Sequence, residues 1–404
     1  MVDRLGQVLR ALLAVAHRST ADDLPHIVAS AVDGLGGNNT LIYLSDIQQR
    51  VLIPFPGPDG PALGQWLDVL PIEATLAGRS YQRGEPLYQA AEVPGGGTRL
   101  WLPLLDGSQR LGLLSLVLSD TGPLGEEVLS TFVTLASVVA SLIVTKTLYS
   151  DTLVRLRRVE QMGLAAEMQW GLLPPLELET ARISVAGALE PAYDVAGDSL
   201  DYAVDNHAAS LAIFDGMGHG LQSAQLSAVA ITAYRSARRA GRSLTETVTG
   251  VDDAIGAIYL GDAFTTAVFA HLELESGLLT WASAGHHDPL LLRGTHVIKP
   301  LHAGPSLPCG LNSTVASVHA PVPIGTEQLE PGDHVLFYTD GVIEARTPEG
   351  DFFGIDRLCD LVGRSLSAGL PTSETVRALV REILAHQQGQ LDDDATVLLA
   401  TWQG

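Results

Sequence analysis

The chain has 404 residues, with 46 aspartates and glutamates against 24 lysines and arginines, which gives a formal net charge of −22. Hydrophobic residues make up 46% and charged residues 17%, so the composition excludes a disordered chain, and the length indicates two or three domains. The acidic field argues against non-specific binding to nucleic acids or anionic membranes, because it repels phosphates. A phosphorylated substrate would therefore need a local counter-charge, for which a divalent cation is the obvious candidate.

The cysteines and the apolar runs exclude further classes. Cys309 and Cys359 show no CxxC spacing, so the sequence supports neither a disulfide framework nor a thiolate zinc site. The first residues lack the pattern of a signal peptide. The longest apolar run, Val128–Val144, is interrupted by Ser and Thr and predicts a helix rather than a membrane span. We expect a cytoplasmic protein without a membrane span.

The first 147 residues predict an α+β domain. Helical spacing covers 4–16 and 24–35, a strand covers 40–45, and two strands around the turn 106–108 form a hairpin. The hairpin segment RLWLPLLDGSQRLGLLSLVLSD and the following helix EEVLSTFVTLASVVASLIV resemble a GAF sensor domain. That resemblance implies binding of a small molecule or dimerisation, and no residue identifies the ligand.

A joining helix is predicted next. Apolar residues keep 3–4 spacing from Phe132 to Leu156, so the helix that begins at Glu126 is predicted to continue to about residue 172, before Pro174 and Pro175. We interpret 148–176 as a signalling-helix linker and expect a homodimer through 126–172. The alternative is a single helix packed on its own domain.

Residues 177–404 predict a layered α/β domain, because strand-like and helical segments alternate along them. The predicted strands are 183–188, 208–214, 265–274, 278–283, 290–293, 334–338 and 395–401. The predicted helices are 221–240, 244–258, 357–365 and 374–387.

Four aspartates in this domain stand at strand ends or in glycine-bearing turns, and these are Asp198, Asp215, Asp340 and Asp393. Carboxylates at the ends of buried strands are costly unless they are paired, and no Lys or Arg lies near any of them in sequence. Oxygen ligands select Mg²⁺ or Mn²⁺ over zinc. Each motif alone is weak, but four in one domain predict a metal centre.

The ordered motifs carry a resemblance over residues 166–402. They are AEMQWGLLP, YDVAGDSLDY, FDGMGHGLQSAQ, FTTAVF, ASAGHHDP, EPGDHVLFYTDGVIEAR, FGIDRL and DDATV. This set resembles the RsbU/SpoIIE-like branch of the PPM (protein phosphatase 2C-like) metal-dependent phosphatases. The resemblance implies an αββα sandwich with two Mn²⁺ or Mg²⁺ ions, behind the GAF-like domain and the connecting helix.

The resemblance also implies the role of each site residue. Asp215 would bridge the two metals, and the Gly216 carbonyl would be a further ligand. Asp340 and Asp393 would hold one metal, with Asp394 as the rival for the second of these roles. Asp198 would serve the other metal or its water shell. The family usually has Gly where this chain has Ala196, which puts the geometry of that loop in question.

The implied activity is that of a serine/threonine protein phosphatase in which Asp215, Asp340 and Asp393 are catalytic. Two cations about 4 Å apart can share a water and lower its pKa towards ~7, so no covalent phosphoenzyme is needed. The resemblance implies a phosphorylated STAS-domain anti-anti-sigma protein as substrate, under control of the sensor domain. The alternative is a non-catalytic phosphatase-fold regulator of a sigma-regulatory partner. A small-molecule phosphohydrolase has less support, because the sequence lacks a P-loop and a GxGxxG motif.

Other polar residues near these motifs have two interpretations. His219 is either a general acid or a residue that packs at the start of the following helix. We expect His286 and His287 to form a structural turn rather than a metal site, because adjacent residues of a strand point in opposite directions. Thr339 and Thr396 are expected to orient the neighbouring aspartates.

Overall fold

The chain folds into two compact units in the computed structural model, residues 1–160 and residues 161–404. The structure describes residues 2–57, 67–91, 96–119, 124–191, 193, 197–294, 296–312, 322–388 and 393–404.

The first unit is an antiparallel sheet covered by helices. Its helices are α1 (Val2–Ala16), α2 (Leu24–Gly34), α3 (Leu76–Arg83), α4 (Glu126–Thr147) and α5 (Asp151–Leu156). Its strands are β1 (Gly37–Ser45), β2 (Val51–Phe55), β3 (Leu70–Pro71), β4 (Leu87–Ala90), β5 (Thr98–Asp106) and β6 (Gln109–Leu118). The strand order is β3-β2-β1-β6-β5-β4. The predicted α+β class is correct for this unit, and the likeness to a GAF domain stays a prediction.

The main core of the first unit lies between the sheet and three helices. Leu12 of α1, Val28 of α2 and Leu135 of α4 are buried against strand residues such as Leu44 and Leu116. On the opposite face, α3 covers a smaller cluster that includes Tyr81 and Trp101. Both faces of the sheet are therefore covered, at least in part, by the unit's own helices.

Helix α4 is apolar enough to be compared with a membrane span. It is the one helix within the described residues that is long and apolar enough to cross a bilayer, with a mean hydropathy of 2.2, and 39% of that stretch is buried. Its buried face, which includes Phe132, Val139 and Ile143, packs into the core of the first unit. A core helix has this composition and packing.

The continuous helix predicted over 126–172 is wrong. Helix α4 ends at Thr147, Ser150 caps the short helix α5 by accepting the Thr152 N–H, and residues 157–163 are not helical. Leu153 is fully buried in the core of the first unit. Leu153 and, in part, Leu156 are thus covered by the chain's own unit, whereas Leu148 and Tyr149 are exposed, and the dimer stays a prediction.

The second unit contains two sheets packed face to face. Its strands are β7 (Glu177–Glu179), β8 (Ile183–Glu190), β9 (Ser199–Val204), β10 (Ala208–Gly216), β11 (Thr265–Glu273), β12 (Leu278–Ala284), β13 (Leu290–Arg293), β14 (His296–Pro300), β15 (Gly325–Gln328), β16 (His334–Tyr338) and β17 (Ala395–Trp402). Its helices are α6 (Leu164–Trp170), α7 (Leu221–Arg239), α8 (Leu244–Tyr259), α9 (Asp340–Ile343), α10 (Gly354–Ser367) and α11 (Thr372–His386).

Three apolar layers stabilise this unit. The five-stranded sheet β15-β12-β11-β10-β9 and the six-stranded sheet β14-β13-β16-β17-β8-β7 enclose a core that includes Ile213, Trp281 and Phe337. Helices α7 and α8 cover the outer face of the first sheet, and α10 and α11 cover the outer face of the second. The predicted αββα sandwich is confirmed.

Candidate active site

The topology of the sandwich brings the four predicted aspartates towards one end of the sheets. Asp215 lies at the end of β10, and Asp198 immediately precedes β9, which runs antiparallel to it. In the other sheet Asp340 follows β16, and Asp393 precedes its antiparallel neighbour β17. Antiparallel neighbours place the end of one strand beside the start of the next.

Asp198 is held by groups from two other elements. Its side chain is 3% exposed, and its Oδ2 accepts the Thr339 hydroxyl proton over 2.5 Å. Its backbone carbonyl accepts from Nε2 of Gln169 on α6 over 2.8 Å. Burial, followed by the charges of Asp215 and Asp394, raises the pKa of Asp198 well above its ordinary value. Thr339 thus orients an aspartate of the opposite sheet rather than its own neighbour Asp340.

Asp394 and Asp393 have different surroundings. Asp394 is 3% exposed, and its Oδ2 accepts the backbone N–H groups of Gly197 at 2.7 Å and of Asp198 at 3.2 Å. Asp393 is exposed; burial of part of its carboxyl group and the charge of Asp340 raise its pKa. Asp394 therefore holds the loop before β9. Asp393, whose Oδ1 accepts the Asp394 backbone N–H over 2.9 Å, is the carboxylate of the two that interacts with Asp340, and its role as a metal ligand stays a prediction.

Asp215 lies opposite Thr266 in the antiparallel pairing of β10 with β11. Residues directly opposed on such strands share one face of the sheet, and the two side-chain oxygens are 3.2 Å apart. Burial, followed by the charge of Asp340, raises the pKa of Asp215 to about 7, and the charges of Asp393 and Asp394 act in the same direction. Asp215 is thus the residue at which the acidic groups of both sheets interact.

The cluster lacks positive charge. In the described part of the chain, no lysine or arginine forms an ion pair with Asp198, Asp215, Asp340 or Asp393. Carboxylates so close together raise one another's pKa unless a cation compensates them. The donors are all oxygen atoms, which suit Mg²⁺ or Mn²⁺. In their present arrangement, no three acidic, histidine or cysteine side chains among the described residues are close enough to hold an ion.

Two glycines permit the close approach of the loops. A methyl group at Gly197 would lie 2.1 Å from Ser223 Oγ, and one at Gly341 would lie 2.0 Å from the Asp394 carbonyl oxygen. Neither position has room for a side chain. The predicted ligand Gly216 ends β10, and its carbonyl oxygen accepts the Ser223 hydroxyl proton over 2.8 Å.

Helix α7 supplies two contacts that the sequence analysis missed. Ser223 donates to the Gly216 carbonyl, and Ser227, one turn later, donates to the Gly197 carbonyl. Both hydroxyls therefore hold loops that carry predicted ligands. The signal was present in the i, i+4 spacing of the two serines, which places them on one face of the helix.

The histidines of the motifs divide into two groups. His219 is exposed in the turn before α7, where a catalytic role stays a prediction. His286 lies in the turn after β12, as expected, and its ring bonds to Thr266 and to the Tyr338 carbonyl. The ring of His287 stacks on Tyr338, with 5.9 Å between centroids. The Ala196 position lies outside the described residues.

Comparison with known proteins agrees with this architecture. The family model described as Stage II sporulation protein E (SpoIIE) matches residues 205–403. This region belongs to the SpoIIE family. The SpoIIE-family region is thus a phosphatase domain of the PP2C (PPM) type, as the motifs predicted.

Individual relatives of the chain are distant. The chain is 28% identical to Protein IcfG of Synechocystis sp. over 141 residues. The aligned stretch makes up 35% of this chain and only 21% of that protein. The chain is 23% identical over 240 residues to Phosphoserine phosphatase RsbU of Bacillus subtilis, which covers 59% of this chain and 69% of RsbU. The solved SiaA-PP2C domain of Pseudomonas aeruginosa is 21% identical, with a TM-score of 0.49, over 58% of this chain and 93% of that domain.

Proposed function

We propose that this protein is a metal-dependent serine/threonine phosphoprotein phosphatase that uses two Mn²⁺ or Mg²⁺ ions. The observation that carries the proposal is the convergence of five aspartates, which are Asp198, Asp215, Asp340, Asp393 and Asp394. Among the described residues, no lysine or arginine forms an ion pair with the first four of them. A divalent cation supplies a water of lowered pKa and neutralises phosphoryl oxygens.

The residues of the chain have separate tasks in this proposal. Asp215, Asp340 and Asp393 present carboxylate oxygens to the cations, with the Gly216 carbonyl as a further ligand. Asp198, fixed by Thr339, serves the second cation or its water shell. Asp394 holds the backbone of the 197–198 loop. The chain has no CxxC motif, and its buried Cys309 thiol has a raised pKa because of burial, so a thiolate nucleophile has no support.

The test compares matched aspartate variants of the full chain. With Mn²⁺ present, the purified protein should hydrolyse p-nitrophenyl phosphate and a phosphoserine protein. Asp215→Asn and Asp340→Asn should lose at least about a hundredfold in kcat while remaining folded. Asp360→Asn, which removes an exposed carboxylate on α10, is the control and should retain activity. Equal turnover by all three variants would refute the site assignment.

The competing function is a non-catalytic phosphatase-fold regulator. Calorimetric titration with Mn²⁺ separates the two, because a regulator without turnover should bind the ion weakly or not at all. The support for a regulator was Ala196, which lies outside the described residues. Against it, every predicted ligand position with an acidic side chain has its aspartate. We therefore favour the enzyme.

We further propose a phosphorylated STAS-domain anti-anti-sigma protein as the substrate, in the cytoplasm, in a stress-response pathway. The support is the similarity to Phosphoserine phosphatase RsbU and the order of the motifs. The test is release of phosphate from a phospho-STAS protein compared with an unrelated phosphoserine protein at equal concentration. Comparable rates on both would argue against a dedicated STAS partner.

The first unit is proposed as a sensor and dimerisation module. A groove of about 630 Å³ lies between α1 and α4, and large apolar side chains at its edge are exposed, among them Leu13, Val133 and Tyr149. Sedimentation of the full chain and of Val133→Asp tests the dimer, which the charge should dissociate. Activity of residues 161–404 alone, compared with the full chain, tests whether the first unit regulates the second.

A further inference from the structure

His286 connects the two sheets beside the aspartate cluster. Its Nδ1 is 2.7 Å from the hydroxyl oxygen of Thr266, which lies on β11 of the first sheet. Its Nε2 is 3.1 Å from the carbonyl oxygen of Tyr338, which ends β16 of the second sheet. The Ser283 hydroxyl donates to the His286 carbonyl over 2.9 Å and holds the turn. The ring is therefore fixed on both of its nitrogen atoms.

The partners of the ring determine where its proton lies. A carbonyl oxygen only accepts, so Nε2 must carry hydrogen in its contact with Tyr338. Burial lowers the pKa of His286 to about 3, so the ring is neutral at physiological pH and Nδ1 has no hydrogen. Nδ1 must then accept, and the Thr266 hydroxyl must be the donor in the 2.7 Å contact.

The same hydroxyl faces Asp215. Thr266 Oγ1 is 3.2 Å from Asp215 Oδ2, but a hydroxyl has one hydrogen. If that hydrogen is directed to His286, Thr266 presents only lone pairs to Asp215. The ionised carboxylate then receives no hydrogen bond from its cross-strand neighbour, and its own lone pairs are open to a cation.

We propose that His286 is a positioning residue that holds the Thr266 hydroxyl proton away from Asp215 and so keeps this carboxylate available for a metal ion. The inference rests on the proposed metal-dependent function. Without the acceptor at position 286, Thr266 would donate to Asp215, and a cation would have to displace a charge-assisted hydrogen bond, which is among the stronger kinds.

The test is a mutant cycle in the full chain, measured by calorimetric titration of the metal-free protein with Mn²⁺. His286→Leu should weaken Mn²⁺ binding by about tenfold, because it removes the acceptor and frees the Thr266 proton. Thr266→Val removes that proton altogether and should bind Mn²⁺ no more weakly than the unchanged chain. The double variant should recover the affinity that His286→Leu lost, which a purely structural role of His286 does not predict.

A conservative variant and a spectroscopic measurement complete the test. His286→Asn retains an oxygen acceptor near the position of Nδ1 and should keep most of the affinity, so it remains informative if His286→Leu fails to fold. ¹⁵N NMR of the metal-free full chain should show His286 as the neutral tautomer with hydrogen on Nε2. Hydrogen on Nδ1 at neutral pH would overturn the proposal without any metal measurement.

The outcomes separate this inference from the proposed function. If the unchanged chain binds no Mn²⁺, the proposed function fails. If it binds Mn²⁺ but Thr266→Val is as weak as His286→Leu, or the double variant shows no recovery, only the role of His286 is refuted.

Discussion

Thr339, at the end of β16 in one sheet, donates its hydroxyl proton to Asp198, at the start of β9 in the other. The same hydroxyl oxygen accepts the backbone N–H of Thr396 at the start of β17 over 3.0 Å. One buried side chain thus links three strands beside the site, and Asp198 depends on it because burial opposes its ionised form.

Thr339→Val should therefore impair the site, although valine and threonine have nearly the same size. It leaves a buried carboxylate oxygen without its donor, which costs about 1–3 kcal/mol when the group is ionised. We expect a lower denaturation midpoint in urea and weaker Mn²⁺ binding by calorimetry. Thr339→Ser retains the hydroxyl and should behave almost as the unchanged chain; equal losses in both variants would point to packing of the methyl group instead.

Removing one acidic group should stabilise the metal-free protein. A pKa of Asp215 raised from 3.8 to about 7 corresponds to roughly 4 kcal/mol of destabilisation of the ionised form at most. Because the folded pKa lies above the unfolded one, this destabilisation develops as the pH rises from about 4 through 7. At pH 8, with metal chelated, Asp215→Asn should therefore raise the free energy of unfolding.

Added Mn²⁺ should make the unchanged chain more stable than Asp215→Asn, the reverse of the order without metal. The unchanged chain should gain thermal stability with the ion, since a ligand that binds the folded state stabilises it, whereas Asp215→Asn should gain little. A metal-induced rise in Tm of the same size in both proteins would contradict a role of Asp215 in ion binding.

Histidine 334 should make the second unit sensitive to mild acid. Its Nδ1 is 2.7 Å from the Thr401 hydroxyl, and burial lowers its pKa. At this residue the unfolded state therefore binds more protons below about pH 6.5, so the contribution of His334 to the free energy of unfolding should fall as the pH drops from 7.5 to 5. In urea denaturation, His334→Gln should therefore gain stability relative to the unchanged chain as the pH drops over this range, whereas His296→Gln, at an exposed position, should follow the unchanged chain.

Lys146 should matter for the stability of the first unit. It is 2% exposed, and its ammonium group donates to the carbonyls of Ala16, over 2.6 Å, and of Ser19, at and just beyond the end of α1. A cation at a helix C-terminus also matches the helix dipole. Lys146→Met leaves these carbonyls without their donor and should destabilise the unit by about 2–3 kcal/mol.

The control for that variant is the other lysine of the chain. Lys299, 47% exposed, pairs with Glu327, and exposed pairs of this kind contribute about 0–1 kcal/mol. Thermal unfolding should therefore be nearly unchanged in Lys299→Met. An effect as large as that of Lys146→Met would mean that burial of the ammonium group is not what matters.

Much of the fold was predictable because most of its elements have regular apolar patterns. The strands predicted over 290–293 and 334–338 have the same bounds as in the structure. The helices predicted over 221–240 and 244–258 each differ from the observed helices by one residue at the C-terminal end. Strand β9 was not predicted, because its alternate residues are polar. Ser199 and Asp201 are nevertheless buried, and Asp201 pairs with Arg235 and Arg238 of α7. Those partners are more than thirty residues away in sequence, so a local pattern cannot reveal them.

The site shows the same division. The aspartates were predictable from their positions at strand ends, since such groups require compensation. The different surroundings of Asp393 and Asp394 were not, because they depend on which carboxylate accepts the N–H groups of a loop about two hundred residues earlier. Which of the two binds a metal stays a prediction. The end of α4 was missed for a related reason. A 3–4 spacing of apolar residues shows that a segment is amphipathic, but it does not show where one helix ends and a new one begins, as happens at the Ser150 cap of α5.

The contact of Asp394 with the N–H groups of Gly197 and Asp198 has a consequence for binding thermodynamics. A carboxylate that accepts two backbone donors orders its loop when the chain folds, so the conformational entropy of that loop is lost before any ligand arrives. A ligand that binds at this end of the sandwich should then meet a preorganised backbone. Its binding should change the amide hydrogen exchange rates of residues 197 and 198 only slightly.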